Sequence, residues 1–313
     1  MLTKTIPPLD FEQLAQTLSV HPDFRVLRRL PDLPRLSGEL PADAQIGLVL
    51  DCETTGKNAT DVIIELGLVT FAFDPLTGEV HGVVDSYCGL EDPGMPIPPE
   101  ASAVNGITDD MVKGQRIDDE KVLAMLKSAV FVVAHNSDFD RPKTETRFPA
   151  FSEVPWACSM TQVPWQAAGF LTRKLEVLVL EMGYFYEAHR ADADCFATLQ
   201  LLNNAPEGLQ GQRGMGILLD ELAKKTYRLW AEGSPFATKD MLRDRGYHWS
   251  TGDAPGSFKA WFIDCASKEE VDAELAWLEK AVFRRSFSAP LTELDSHTRF
   301  SARPGHLQTV YSS

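Results

Sequence analysis

Three mostly apolar runs, QIGLVLDCE, VIIELGLVTFAF and EVHGVVDSYCG, are separated by the turn-rich stretches TGKNATD and DPLTGE. β-Branched and aromatic residues within the runs, with Gly, Asn and Asp at the breaks, predict an antiparallel meander. Beyond it, DDEKVLAMLKSA has helical spacing, and VFVVA reads as a short buried strand. DRPKTETRF, RKLEVLVLEMG and ADADCFATLQLLNN predict further helices, and WACSM predicts a fifth strand. Three antiparallel strands followed by alternating helix and strand describe an α/β domain over residues 45–205: a mixed five-stranded sheet with helices on its faces.

The flanks have a different texture. Residues 1–44 form an N-terminal extension with a short helix (DFEQLAQTLS), a basic extended stretch (FRVLRRL) and a Pro-rich connection. Residues 214–286 predict a small accessory α/β domain. In it GILLDELAKKTYRLWAE reads as one amphipathic helix, TKDMLRDRG as a second, and YHWS with KAWFIDCA as a hairpin. Its last helix opens with a capping box, Ser267 to Glu270. Residues 287–313 show no sustained period and are expected to form a loose tail.

At 313 residues, 44% hydrophobic and 24% charged, the chain can bury a sizeable core. It contains no run of eighteen apolar residues, so no membrane span is expected. The N-terminus lacks the apolar stretch of a secretory signal, and the five cysteines show no CxxC or zinc-site spacing. A reduced, cytoplasmic protein without a membrane partner is the expectation. The net charge is −15, and residues 45–205 hold 11 Lys and Arg against 24 Asp and Glu, a local net of −13. A segment this acidic repels a polyanion unless cations are bound within it.

Three stretches then stand out. In LDCETTG, Asp51 and Glu53 lie two residues apart and share one face of a strand, while Cys52 points the other way. VVAHNSDFD ends in Asp140 just after a buried strand, and in AHRADAD His189 precedes Asp194 by five residues at the entry to a helix. Taken singly, each has a plain explanation. A bare DxE is commonly a solvated strand face, Asp140 a first-turn helix acid, and His189 a capping or surface residue.

Taken together and in this order, with NGIT at 105–108, they resemble the motifs of the DEDDh group of 3′-to-5′ exonucleases, the DnaQ-like branch of the RNase H-like superfamily. The resemblance implies an RNase H-like fold. It makes Asp51, Glu53, Asp140 and Asp194 the carboxylates of a metal site and His189 the general base, on a mobile loop that swings in with substrate. Spacing favours Asp194 over Asp192 as the last ligand. The sister group places Tyr where this chain has Arg190, and Tyr184 and Tyr186 are out of register for that role. Groups around Thr54, Thr55 and Gly56 would contact the terminal nucleotide, and Asn136 would help order the site.

The residue types suit that chemistry. Hard divalent cations, here two Mg²⁺ or Mn²⁺ ions, prefer oxygen ligands, and they make four neighbouring acids tolerable. An imidazole, titrating near neutral pH, suits removal of a proton from the attacking water. The expected activity is metal-dependent hydrolysis of phosphodiester bonds at the free 3′ end of a nucleic acid, releasing nucleoside 5′-monophosphates, with single-stranded DNA the expected substrate. An RNA-directed exonuclease and a proofreading-type partner of a polymerase or repair enzyme are the alternatives within the class. A catalytically idle nucleic-acid-binding scaffold is the alternative outside it, and the presence of all five catalytic positions argues against that.

Other features carry paired readings. Arg25, Arg28 and Arg29 either reach substrate phosphates or, as favoured, pair with the acidic surface. The 214–286 segment is similar to C-terminal extensions of DnaQ-like bacterial exonucleases. Trp249 and Trp261 lie in sequence near Lys239, Arg243, Arg245 and Lys259, and are either a stacking surface or, as favoured, core. His135 reads as a strand-end hydrogen-bonding residue and NGIT as a turn. Every proposed ligand precedes residue 205, so a chain ending near Asn204 is expected to keep hydrolysis of short oligonucleotides.

Overall fold

Asp10 opens the first helix, α1 (Phe11–Ser19), by accepting hydrogen bonds from the N–H groups of Glu12 and Gln13, which helix geometry leaves without partners. In the computed structural model, which describes residues 10–253 and 256–311, the chain then passes through β1 (Arg28–Arg29). β2 (Gln45–Thr54), β3 (Ile63–Phe73) and β4 (Val80–Leu90) form the antiparallel meander that the turn signals predict. β3 lies between the other two and every one of its residues is buried, which is why it reads as a continuous apolar run.

Three helices, α2 (Pro99–Asn105), α3 (Asp109–Val112) and α4 (Asp119–Ser128), carry the chain to β5 (Val132–Ala134). Then α5 (Ser137–Arg147) leads to β6 (Trp156–Cys158). β5 pairs parallel to β2, and β6 parallel to β5, giving the order β4-β3-β2-β5-β6. This is the expected RNase H-like mixed sheet. After α6 (Ser159–Gln162) and α7 (Leu175–Glu181), β7 (Tyr184–Phe185) pairs with β1, so the N-terminal extension is tied to the segment just before α8 (Ala191–Asn203).

Both faces of the sheet are covered. Leu48 and Leu50 of β2 pack with Leu66, Val122 and Trp156 on one side. Val49 packs with Val69, Leu199 and Trp165 on the other. α8 lies close on β3 because residue 67 is glycine: a Cβ there would sit 2.4 Å from the Ala191 carbonyl carbon.

The C-terminal region departs from the sequence reading in three ways. α9 (Gly214–Ala223) stops where β8 (Thr226–Ala231) begins, so the single helix expected over GILLDELAKKTYRLWAE is a helix followed by a strand. Met215 and Leu218 of α9 also pack in the same apolar cluster as Val49 and Leu199, so α9 covers the first sheet and is not part of the accessory unit. After α10 (Lys239–Asp244), β9 (His248–Trp249), β10 (Trp261–Cys265) and α11 (Lys268–Trp277), the stretch from 287 is no loose tail. It supplies β11 (Ser288–Leu294) and β12 (His306–Tyr311), completing a second, antiparallel sheet of order β12-β11-β8-β10-β9. Its strands are short and depend on partners distant in sequence, which local periodicity does not register.

The turn between β11 and β12 ties this second sheet to the first. Arg141, fully buried on α5 next to Asp140, donates to the backbone carbonyls of Ser296 (3.1 Å), Arg299 (2.6 Å) and His297 (2.6 Å). Its Nε donates to Glu145 at 2.7 Å, and Glu145 also accepts from the Ser301 hydroxyl at 2.6 Å. Cutting the chain at Asn204 strips this buried cation of its carbonyl partners and removes Met215 and Leu218 from the core. The expectation that such a fragment keeps activity is therefore reversed: it should fail to fold stably. Arg141→Ala, which leaves Glu145 without its buried partner, should cost about 3–5 kcal/mol in urea unfolding. A loss under about 1 kcal/mol, the value of an exposed pair, would show that this contact does not hold the two sheets together.

The basic stretch near the N-terminus is engaged within the chain. Arg25 donates to the carbonyls of Leu180 and Glu181, Arg28 pairs with Glu12 at 2.6 Å, and Arg29 approaches Glu187 at 3.8 Å. In the second unit Trp261 packs against the core formed by Leu229, Val271 and Leu275, while Trp249 on the edge strand is 50% exposed.

Candidate active site

Asp51 and Glu53 stand on β2, on the face covered by α8, because the strand alternates and Leu48, Leu50 and Cys52 occupy the other side. Asp140 comes from the first turn of α5 and is 2% exposed. Its Oδ1 accepts from the Cys52 N–H at 3.2 Å, which fixes it against β2. Asp194 comes from the first turn of α8, where its Oδ2 accepts from the His189 N–H at 2.9 Å. Three elements distant in sequence thus bring four carboxylates together. Two of them sit at helix N-termini, where a negative charge is favoured.

Burial and neighbouring charges act together on these carboxyls. Burial first, then the charges of Asp140, Asp194 and Glu53, push the Asp51 carboxyl well above the usual carboxylate range. Burial and Asp194 raise Glu53 to about 7, against the polar Asn105 side chain, which lowers it. Burial raises Asp140 to about 7, although its bonds to Cys52 oppose the shift. Asp194 is raised as well, chiefly by burial. Among the described residues none of the four has a Lys or Arg ion-pair partner. A cluster of hard oxygen donors without a cation of its own suits a divalent ion. One oxygen each of Glu53 and Asp194 and a ring nitrogen of His189 lie within 4.8 Å of one another.

These raised carboxyls set the pH dependence of the metal-free protein. A carboxyl whose native pKa exceeds its unfolded value adds stability that is complete below the unfolded pKa, about 4. That contribution is lost as pH rises through about 7, the value for Glu53 and Asp140. Thermal unfolding of metal-free protein should therefore shift to lower temperature between about pH 5 and about pH 8, and a divalent ion should recover it. A midpoint that climbs over that range without metal would contradict the electrostatic picture.

The remaining sequence-named residues are placed as follows. Thr54 and Thr55 are buried, and their hydroxyls serve the loop itself, Thr54 donating to the Gly56 carbonyl and Thr55 to Asp61. Gly56 faces Asp61, whose Oδ2 would be 2.7 Å from a Cβ at that position. Asn136 is exposed at the N-cap of α5 and makes no side-chain cap bond there. His135 is buried between the Ser159 hydroxyl and the Arg173 carbonyl, each at 2.7 Å, and burial lowers its pKa to about 4. Asp192 accepts only from the neighbouring Ala193 N–H among the hydrogen bonds seen, as suits a first-turn helix acid.

Sequence reasoning passed over four residues around the site. Asn105, within NGIT, lies close enough to Glu53 to lower its pKa, while Gly106 beside it takes φ 70° to end α2 as a turn residue. Tyr186 donates to Asp194 at 2.6 Å despite being out of register for the sister group's tyrosine. Lys143 is buried and donates to the carbonyls of Asn58, Ala59 and Asp61, holding the loop after β2. Glu65 is the fourth, fully buried in β3 directly across from Glu53. Its signal was legible: it is the one acid in the run IIELGLVTFAF.

Residues 48–202 match the exonuclease family model named for RNase T. The DNA polymerase III subunit epsilon of Treponema pallidum is 31% identical over 161 residues, covering 48% of this chain and 72% of that protein. The PolC-type DNA polymerase III of Thermotoga maritima is 31% identical over 141 residues, but the chain spans only 10% of its length. Among solved structures, exonuclease X in complex with 5′ overhanging duplex DNA aligns over 54% of this chain and 98% of its own, at 24% identity and a TM-score of 0.39. The zinc-bound complex of E. coli exonuclease I with single-stranded DNA aligns over 71% and 63%, at 15% identity and a TM-score of 0.48. Divalent metal ions are the cofactors that this family implies. From the family match and the identity across most of an epsilon subunit it follows that this chain belongs to the DEDDh, DnaQ-like family of 3′-to-5′ exonucleases.

Proposed function

We propose that the chain removes nucleotides one at a time from the 3′ end of single-stranded DNA, with Asp51, Glu53, Asp140 and Asp194 holding two Mg²⁺ or Mn²⁺ ions. The observation that carries this reading is the convergence of four carboxylates, two of them raised to about 7, with no Lys or Arg partner among the described residues. Bound divalent ions would spread the charge of the scissile phosphate and of the leaving 3′-oxygen. The chain's own groups do the rest. His189 accepts a proton from the attacking water, and its backbone N–H bond to Asp194 fixes its loop beside the acids. Tyr186 orients Asp194 through its hydrogen bond, and Asn105 lies beside Glu53. The loop around Thr54, Thr55 and Gly56, held by Lys143 and Asp61, faces the terminal nucleotide, and Asn136 helps order the site.

We read residues 45–205 with α9 as the catalytic unit and the second sheet as an accessory unit attached through Arg141. Relatives named as a polymerase subunit and as polymerases support a place beside DNA synthesis, with a DNA polymerase as partner. The test is degradation of 5′-labelled DNA and RNA oligomers in parallel, with Mg²⁺, with Mn²⁺ and with chelator. A ladder shortening from the 3′ end of DNA, absent with chelator, is the expected result. Faster loss of RNA would move the substrate to RNA, and cleavage that persists without divalent metal would remove the metal mechanism.

A further inference from the structure

Glu65 has no place in the mechanism above, yet it is 0% exposed near the start of a strand that is otherwise almost entirely apolar. Such a carboxylate is costly to bury unless it is paired and hydrogen-bonded. Its partners are informative. Arg190 donates to it from Nε (3.1 and 3.2 Å) and from Nη2 (2.7 Å), and the backbone N–H of Ala191 donates to its Oε2 at 3.0 Å. These two residues directly follow His189. Ala191 is the first residue of α8, so Glu65 also satisfies a helix N-terminus that its own N-cap side chain leaves open.

The backbone of His189 is therefore held from both sides. Its own N–H is bound by Asp194, and the next two residues are bound by Glu65. Between these anchors His189 takes φ 65°, a left-handed conformation that is uncommon in a residue other than glycine. Strain of this kind persists where the surroundings over-determine it. The ring itself is exposed, so its position beside Glu53 and Asp194 follows from the backbone and not from packing of the side chain. Gly67, two residues along β3, completes the fit by letting the Ala191 backbone approach the strand.

We infer that Glu65 and Arg190 form a clamp that positions His189 and Asp194 for the reaction, and that Glu65 is not a fifth metal ligand. Arg190 compensates its charge, which sets it apart from the four acids that lack such a partner. The inference rests on the proposed role of His189, and wild-type nuclease activity measured alongside keeps the two apart. If the wild type is inactive, the proposed function fails; if it is active, the variants judge the clamp.

The test compares Glu65→Gln, Arg190→Gln and the double variant for kcat, KM and Mn²⁺ affinity. Arg190 is about half exposed, so water reaches the space its side chain leaves, and glutamine still offers Glu65 a hydrogen-bond donor; Arg190→Gln is therefore the milder variant if Glu65→Gln folds poorly. The expected result is a kcat at least tenfold lower in each single variant, a KM within about twofold and unchanged Mn²⁺ affinity. The double variant should be no slower than the slower single, as for two parts of one device. Millimolar methylguanidinium should restore part of the rate in an Arg190→Ala variant. Unchanged kcat in Arg190→Gln, losses that multiply in the double variant, or loss confined to KM would overturn the clamp. Weakened Mn²⁺ binding in Glu65→Gln would overturn it too, by making Glu65 a ligand.

Discussion

Asp51→Asn is expected to bring nuclease activity below detection while leaving the metal-free protein as stable as the wild type or more so. The two effects share one cause. Asp51 is buried among the like charges of Asp140, Asp194, Glu53 and Glu65. An amide there retains the shape and removes one charge from the repulsion, but it no longer offers a divalent ion the anionic oxygen it prefers. At about pH 8, where the cluster is most ionised, thermal unfolding of the metal-free variant should occur at the same temperature as wild type or higher. The shift produced by adding Mg²⁺ or Mn²⁺ should be smaller than in wild type. Asp194→Asn should behave likewise in activity, although it also weakens the bonds from Tyr186 and from the His189 backbone, so its gain in stability should be less. A fully active Asp51→Asn enzyme would remove the metal site from the mechanism.

Replacing His189 by Ala is expected to lower turnover by about 10²–10⁴-fold, the usual range for a lost general base. The structure sharpens this prediction by placing the ring within 4.8 Å of oxygens of Glu53 and Asp194. A ring at that distance serves either the attacking water or a metal ion. Metal titration of the variant separates the two. Affinity close to wild type with slow turnover identifies the base, whereas loss of both identifies a ligand. Because the anchors on either side are backbone groups and Glu65, the substitution should leave the loop in place. Alanine at φ 65° does cost some stability, so His189→Asn, which tolerates the left-handed region better, is the matched control. A variant as fast as wild type would take His189 out of catalysis.

The alternation within QIGLVLDCE was enough to place Asp51 and Glu53 on one strand face, and the resemblance of the ordered motifs to a known family named Asp140, Asp194 and His189 as their companions. The first sheet was legible for the same reason. Its strands are long, buried and bounded by Gly- and Asp-rich turns, so local pattern and tertiary environment agree. The four acids are polar residues at the ends of apolar elements, and such conflicts of pattern show in one dimension.

Other features exist only in three dimensions. That TYRLWA leaves the helix and becomes β8 depends on β10 and β11, its partners thirty or more residues away. The supposed tail becomes part of a sheet because β8 offers it an edge, and its turn folds over Arg141, a residue that in sequence reads as one more helical cation. Glu65 was visible as a lone acid in an apolar strand, but its meaning was not. The pairing with Arg190 joins residues 125 positions apart, and only the close approach allowed at Gly67 brings them together. Periodicity reports which way a side chain points from its own element. What it meets there depends on how the elements pack, because a buried charge is tolerated only where a distant part of the chain supplies its partner.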